Sequence, residues 1–357
     1  MPSSSIRKFL TNKIYWLYFL SISLVFGSIL LGLLESSVEI SVPTILHIVS
    51  ENMFHIGWLD DVPKNEEMII WNIRLPRVLL ALCVGSSLAL AGAAFQGLLR
   101  NPLADPYTIG VSSGAALGAV FVLFFQVTIV GLGSFTLPVV AIFSGFISLL
   151  VVFGLVRLSS RSLAIETIIL AGIIVGAFIS SGISLIISLG DQDSMSQIIY
   201  WLYGSVAMRG WGHVQLIIPF MLVGTFILLI HYRELNALSL GEDAADHIGV
   251  NVRRKKIYIL VGASLLTGAA VAVSGSIGFV GLVIPHLVRL VTGPNHRHVL
   301  PLSFLMGGAF LILADLLTRT IIAPSELPIG VITGLIGAPV FAILLMKEKV
   351  SEKEIAS

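Results

Sequence analysis

The chain has 357 residues, 56% of them hydrophobic and 11% charged, with a net charge of +1 and a mean hydropathy of +0.99. A soluble domain of this length needs far more charge to cover its surface, so composition excludes that class and indicates a multi-span membrane protein. The apolar runs are long and continuous rather than alternating, which favours spanning helices over a closed barrel.

In chain order, Arg7, Lys8 and Lys13 precede the first apolar run. That run is too long for a signal-peptide core and lacks a small-residue cleavage site, so it reads as a retained span at residues 15–34. The longest polar connection follows, from Glu35 to Glu67, with seven acids; "SVPTILHIV" within it suits a short interfacial helix. "WNIRLPRVLLAL" opens the second span, at 77–99. Arg74 and Arg77 are three apart and share one side of the entry turn, with Pro76 tolerated at a helix start. Cys83 lies inside this span as a small core residue. Pro102 and Pro106 break the chain before the third span, at 107–125. Further spans are predicted at 136–156, 165–187, 212–232, 257–275, 278–292, 301–320 and 328–346, the eighth being short.

Ten spans put both termini on one side. Sixteen Lys and Arg residues, Arg161 among them, fall on that face, against Lys64, Arg74, Arg77, Arg209 and Arg319 on the other. By the positive-inside rule both termini are cytoplasmic. Residues 1–14 then form a cytoplasmic N-terminus, 15–347 a single membrane domain and 348–357 a cytoplasmic tail.

Small residues recur at helical spacing: Gly85/Ala89/Ala93/Gly97, Gly110/Gly114/Gly118, Gly172/Gly176/Ser180/Ser184 and Gly330/Gly334/Ala338. Such stripes mark closely packed helix seams, and one or two can also line a pathway or a subunit interface.

The loop at 233–256 carries nine charges and contains "LSLGEDAADHIGVNVRRKK". Ser239 and Glu242 have capping-box spacing, and Asp243 adds charge at a helix start. Leu240, Ala244 and Ile248 share a face, and Gly249 suits the helix stop. A two-turn cytoplasmic helix over 240–248 follows; it must dock on something, because so short a helix does not persist alone. "RRKK" then suits the anionic headgroup layer.

No P-loop, H-E-x-x-H, C-x-x-C or serine elbow occurs, so the chain cannot cradle a nucleotide by a P-loop and enzymatic chemistry within it is not expected. His296 and His298 sit in a turn that reads as solvated, and His286 as structural. A charge inside the membrane is costly and marks a functional candidate. Asp105 and Glu166 lie near cytoplasmic ends, while Asp315 and Arg319 form an i,i+4 pair. No mid-membrane proton relay is evident, which argues against an ion-gradient-driven carrier.

Four segments together resemble the iron-siderophore and vitamin B12 permeases of bacterial ABC importers, the FecCD family. They are "IRLPRVLLALCVGSSLALAGAAFQGLLRNPLADPYTIGVSSGAALGA", "LGEDAADHIGV", "SGSIGFVGLVIPHLVRLVTGPNHRHVLP" and "ADLLTRTIIAPSELPIGVITGLIGAPVFAILL". The resemblance covers about residues 15–347. It implies an all-α integral membrane protein with the ten-helix type II importer permease fold, in the bacterial cytoplasmic membrane. It further implies a second permease subunit, a related chain or a second copy, two ATPase subunits that bind ATP and Mg, and a solute-binding protein outside. No cofactor or metal is implied on this chain. Leu240, Gly241, Glu242, Asp243, Ala244, Ala245, Ile248 and Gly249 match the coupling-helix region, which seats in the ATPase. Arg74, Arg77 and Arg319 match outer arginines that meet the binding protein. The resemblance sets the fifth and tenth spans at the dimer interface, which lends weight to Gly172, Gly176, Ser180, Gly330 and Gly334 as pathway or seam residues. The expected cargo is an iron(III)-siderophore, with haem or cobalamin as alternatives.

Overall fold

The computed structural model describes residues 4–35, 38–59, 62–159 and 164–356, with side chains from 12 onward except at 345 and 347–356. Arg161 lies outside the described residues. Among the described residues all regular structure is helical. In order the α-helices are α1 (Ser4–Leu34), α2 (Val42–Phe54), α3 (Lys64–Met68), α4 (Leu75–Leu98), α5 (Val111–Phe125), α6 (Thr136–Ser159), α7 (Ile165–Leu189) and α8 (Gln192–Leu202). They continue with α9 (Trp211–Ile230), α10 (Tyr232–Ser239), α11 (Glu242–His247), α12 (Val252–Ser274), α13 (Val280–Thr292), α14 (His296–Thr320) and α15 (Ile329–Ala356).

Each of the ten expected spans falls on one of these helices. Seven are long and apolar enough to cross a membrane, and Val111–Phe125, Val280–Thr292 and Ile329–Leu344 are shorter apolar helices. Within the expected terminal tails, residues 4–14 continue α1 and 348–356 continue α15.

The second span begins earlier than expected. A continuous helical stretch runs from Lys64 to Leu98, with a π-turn at Ile69–Arg74 between α3 and α4. Leu75 N–H donates to Ile70 O, five residues back. Pro76, just beyond, has no N–H to give and crowds the preceding turn, and a widened turn accommodates it without ending the helix.

α4 is the buried centre, packed against α14, α12, α13 and α9. The glycine stripe explains how. A Cβ at Gly85 would lie 2.2 Å from Gly307 O, and one at Gly92 would lie 1.8 Å from Gly281 O. The backbones of α4, α13 and α14 therefore touch, which is how helices gain contact where lipid offers no hydrophobic drive. Gly114 and Gly118 seat α5 on Ser148 and Ser144 of α6 in the same way.

The segment 203–205 after α8 meets the end of α12 and the start of α15 in a backbone node. Ser205 N–H donates to Ser274 O (2.7 Å), Ile329 N–H to Gly204 O (3.0 Å) and Gly330 N–H to Tyr203 O (3.1 Å). The phenol of Tyr107 closes the node from a fourth strand of chain, donating to Ile277 O and accepting from Ile277 N–H, both at 2.9 Å. Irregular backbone survives inside such a bundle only when its polar groups are paired in this way.

Between the expected spans lie helices too short to cross. α2 is the interfacial helix anticipated in "SVPTILHIV", capped by Ser41, whose Oγ accepts from Thr44 N–H. α8 was not foreseen; Asp191 caps it by accepting from Ser194 N–H, and Ile198 and Trp201 bury its apolar side.

Candidate functional site

At the end of the bundle where α9 leads into α12, the chain builds α10 and α11. α10 packs inward through Leu235, Ala237 and Leu238. The expected capping box is not formed. Ser239 belongs to the last turn of α10, where its hydroxyl donates to Leu235 O and Asn236 O. The break falls at Gly241, with φ 120° and ψ 152°, a conformation that side chains other than glycine's disfavour. Glu242 is engaged elsewhere: its carboxylate meets the Lys256 ammonium at 2.5 Å, tying α11 to α12. Gly249 does end the helix, at φ 86°, with its N–H on Asp246 O.

The pairing of Lys256 also corrects the headgroup reading of "RRKK". Lys256 is buried, and Lys255 pairs with Glu234 of α10 at 2.7 Å. Arg253 and Arg254 are exposed. Ala245 is fully buried and anchors α11 from below. Leu240, Ala244 and Ile248 turn outward; Leu240 is 76% and Ile248 67% exposed. Asp243 is also exposed. Two large apolar side chains thus flank the six-residue α11, Leu240 just before the Gly241 break and Ile248 just after the helix, with Ala245 packed beneath them, so the expected helix over 240–248 is shorter and interrupted at Gly241.

His296, read as solvated, is buried at this same end. Its ring Nδ1 and backbone N–H both meet Asn236 Oδ1. The reason is Gly97, whose missing side chain lets the imidazole lie against α4. His286 is buried beside Phe341, as a structural histidine should be.

The opposite end gathers the three arginines, and their functional groups face inward. Arg74 is 3% exposed and donates to Leu33 O, Leu34 O and Val38 O, closing the end of α1. Arg77 grips Asp315 through Nε and Nη2 and reaches Glu326 through Nη1 and Nη2. Arg319 pairs with Asp315 at 3.3 Å and donates to Gly32 O and Glu35 O. Asp315 is 1% exposed and is the common counter-ion. Cations at this end therefore have an internal reason: they neutralise a buried carboxylate and cap α1. Asp315 and Arg319 were legible as a pair, but Arg77 and Glu326 were not, because they meet across about 240 residues of chain.

The seam residues divide. Gly172 and Gly330 are required by contacts within the chain: a Cβ would lie 2.3 Å from Thr108 O and 2.2 Å from Tyr203 O, respectively. Gly176 and Gly334 have room for one, with nearest neighbours at 3.4 and 3.9 Å. Ser180 is exposed, as are Ser181, Ser184 and Ser188 along the same helix. α7 thus shows a hydroxyl-bearing face beside exposed Ile173, Ile174 and Phe178.

A bundle of seven apolar helices long enough to cross a membrane, with three shorter apolar ones, defines a multi-pass helical membrane protein. The chain belongs to the FecCD transport family, whose profile matches residues 23–347. It is 50% identical over 342 residues to the ABC transporter permease protein YvrB of Bacillus subtilis (strain 168), covering 95% of this chain and 96% of that protein. It is 41% identical over 286 residues to the hemin transport system permease protein HmuU of Yersinia pestis, covering 78% and 84%. A solved metal-chelate type ABC transporter in an inward-facing conformation superposes with a TM-score of 0.80 at 35% identity, covering 92% of this chain and 98% of that one. Other relatives are named for cobalamin, molybdate and Fe(3+)-citrate import. The protein is an ABC importer permease, a multi-pass protein of the cytoplasmic membrane and not itself an enzyme.

Proposed function

We propose that this permease moves an iron(III)-siderophore complex inward, with α11 and both termini in the cytoplasm and the arginine end outside. The charge asymmetry of sixteen cations against five supports that orientation. Two ATPase subunits supply ATP hydrolysis, a second permease completes the pathway, and a solute-binding protein delivers cargo. The hydroxyl-bearing face of α7 and the exposed flank of α15 suit the line where the two permeases meet. The binding protein docks on the rim shaped by Arg77, Asp315, Arg319 and Glu326, with Arg74 supporting the rim from beneath.

One observation supports the coupling role: Leu240 and Ile248 stand exposed on either side of α11, which is braced by Ala245 and the Glu242–Lys256 pair. Burying both in a partner's cleft stabilises the contact by about 3 kcal/mol. The brace then passes a push on α11 directly into α12, a rigid route of the kind such coupling needs.

The iron assignment draws on relatives named for Fe(3+)-citrate and hemin transport and on the metal-chelate type neighbour. Haem or cobalamin would use the same machinery. A carrier driven by an ion gradient fits less well, since the buried acid Asp315 is held by two arginines.

Changing Leu240 and Ile248 together to Asp tests the coupling role. Membrane insertion should be normal, while co-purification of the ATPase and uptake of labelled iron-siderophore should fall by more than about 100-fold, given the burial energy above. Undiminished ATPase capture would refute the role. Binding of ferric siderophores, haemin and cobalamin to the cognate binding protein decides the cargo.

A further inference from the structure

Five cations lie at the arginine end, and four have an evident place. Arg74, Arg77 and Arg319 are held by carbonyls and carboxylates, and Lys64 is exposed to solvent. Arg209 is different. It is half-buried, and among the described residues it makes no hydrogen bond or ion pair; its Nε is buried without an acceptor. A buried polar group left unmatched in this way calls for a reason.

Arg209 lines a cavity of about 500 Å³ between α5, α6, α8 and the end of α12. That volume is within the usual span of small-molecule sites, about 300–1,000 Å³. Tyr200, Gln197, Ser196 and Ser205 share the wall with it, and no acidic side chain does. Trp201, also in the wall, is 6% exposed and its indole N–H has no acceptor. None of Gly172, Gly176, Ser180, Gly330 or Gly334 lines this space, so it is separate from the candidate seam. Burial pulls the Arg209 guanidinium below its usual range, with Tyr200 pulling the other way. That is the condition in which a counter-charge is most welcome.

We infer that this cavity is a receptor for an oxyanion, a carboxylate or a phosphate, gripped by the Arg209 guanidinium and the hydroxyl and amide groups of Tyr200 and Gln197. A planar guanidinium binds such groups through two parallel N–H bonds, and a wall without acids leaves nothing to compete. The oxyanion comes either from the headgroup of an anionic phospholipid or from a soluble anion such as citrate or inorganic phosphate.

The full chain in nanodiscs separates these sources. In one arm, native mass spectrometry compares retained phosphatidylglycerol with retained phosphatidylcholine. In the other, discs of phosphatidylcholine alone are titrated with citrate and with inorganic phosphate, read by tryptophan fluorescence. Arg209→Gln should weaken binding about tenfold or more, and Arg209→Lys should retain part of it. A change in the first arm alone identifies the lipid source, and a change in the second alone the soluble one. Tyr200→Phe, which keeps the ring and removes the hydroxyl, should weaken binding several-fold without disturbing packing. It serves as the readout if Arg209→Gln does not fold. Wild-type chain that binds in neither arm, or Arg209→Gln that binds as wild type does, overturns the site.

Discussion

Replacing Asp315 with Asn should destabilise the bundle by about 2–3 kcal/mol. The carboxylate is 1% exposed and receives Arg77 Nε at 3.0 Å and Nη2 at 2.9 Å, with Arg319 Nε at 3.3 Å. Removing one partner of a buried ion pair ordinarily costs about 3–5 kcal/mol, because the other charge stays behind. Here both guanidiniums keep something. Arg77 retains two bonds to Glu326, at 2.8 and 3.0 Å, and Arg319 retains Gly32 O and Glu35 O. Those contacts, and the one amide oxygen Asn still offers, bring the loss just below that range. Unfolding in mixed micelles with rising dodecyl sulfate, followed by circular dichroism, measures it. A double-mutant cycle with Arg77→Met isolates the pair, and the two changes together should cost less than their sum by at least about 1 kcal/mol. Stability of Asp315→Asn within about 0.5 kcal/mol of wild type, or strict additivity, would sink the view that this carboxylate organises the rim.

Three further outcomes follow from the same contacts. Gly92→Ala sets a methyl 1.8 Å from Gly281 O and should prevent close packing of α4 on α13, cutting folded yield sharply, whereas Gly334→Ala, with its nearest neighbour at 3.9 Å, should leave yield unchanged in the same expression and gel-filtration assay. Arg74→Met should lower stability by about 1.5–3 kcal/mol by stripping donors from buried carbonyls, and Arg74→Lys should restore little, since a point charge cannot span Leu33 O and Val38 O as a fork does. Gly241→Ala forces a side chain into the glycine-only region at φ 120°, at a cost of about 1–3 kcal/mol; ATPase capture should fall while membrane insertion stays normal.

The spans were legible because each needs a long apolar run, and a run is a local property of sequence. Even the short eighth span appears where expected, as α13. The second span began in the wrong place because Pro76 looked like a helix start, whereas the chain widens one turn and continues. α8 escaped notice because eleven residues with a polar first half resemble a loop; Asp191 with Ser194 three residues on was the available signal. The short helix in the 233–256 loop was legible, but its internal logic was not. Ser239 and Glu242 have capping-box spacing, yet the serine finishes α10 and the glutamate answers a lysine fourteen residues away. The three arginines Arg74, Arg77 and Arg319 show the same limit. Sequence flagged them as cations needing a reason, but their partners lie on other helices, and no local pattern records such long-range pairing.

The node that joins Tyr203, Gly204 and Ser205 to Ser274 and to Ile329 and Gly330 limits how this permease can move. Backbone hydrogen bonds fix relative position more tightly than side-chain contacts, which can change rotamer while their helices slide. The start of α15, the end of α8 and the end of α12 therefore share one set of coordinates. α12 also receives α11 through Lys256 at its other end. On the proposed coupling role, a displacement entering at Glu242 would pass along α12 to the node at its other end. On that role, the end of α8 and the start of α15 would therefore move together with α12.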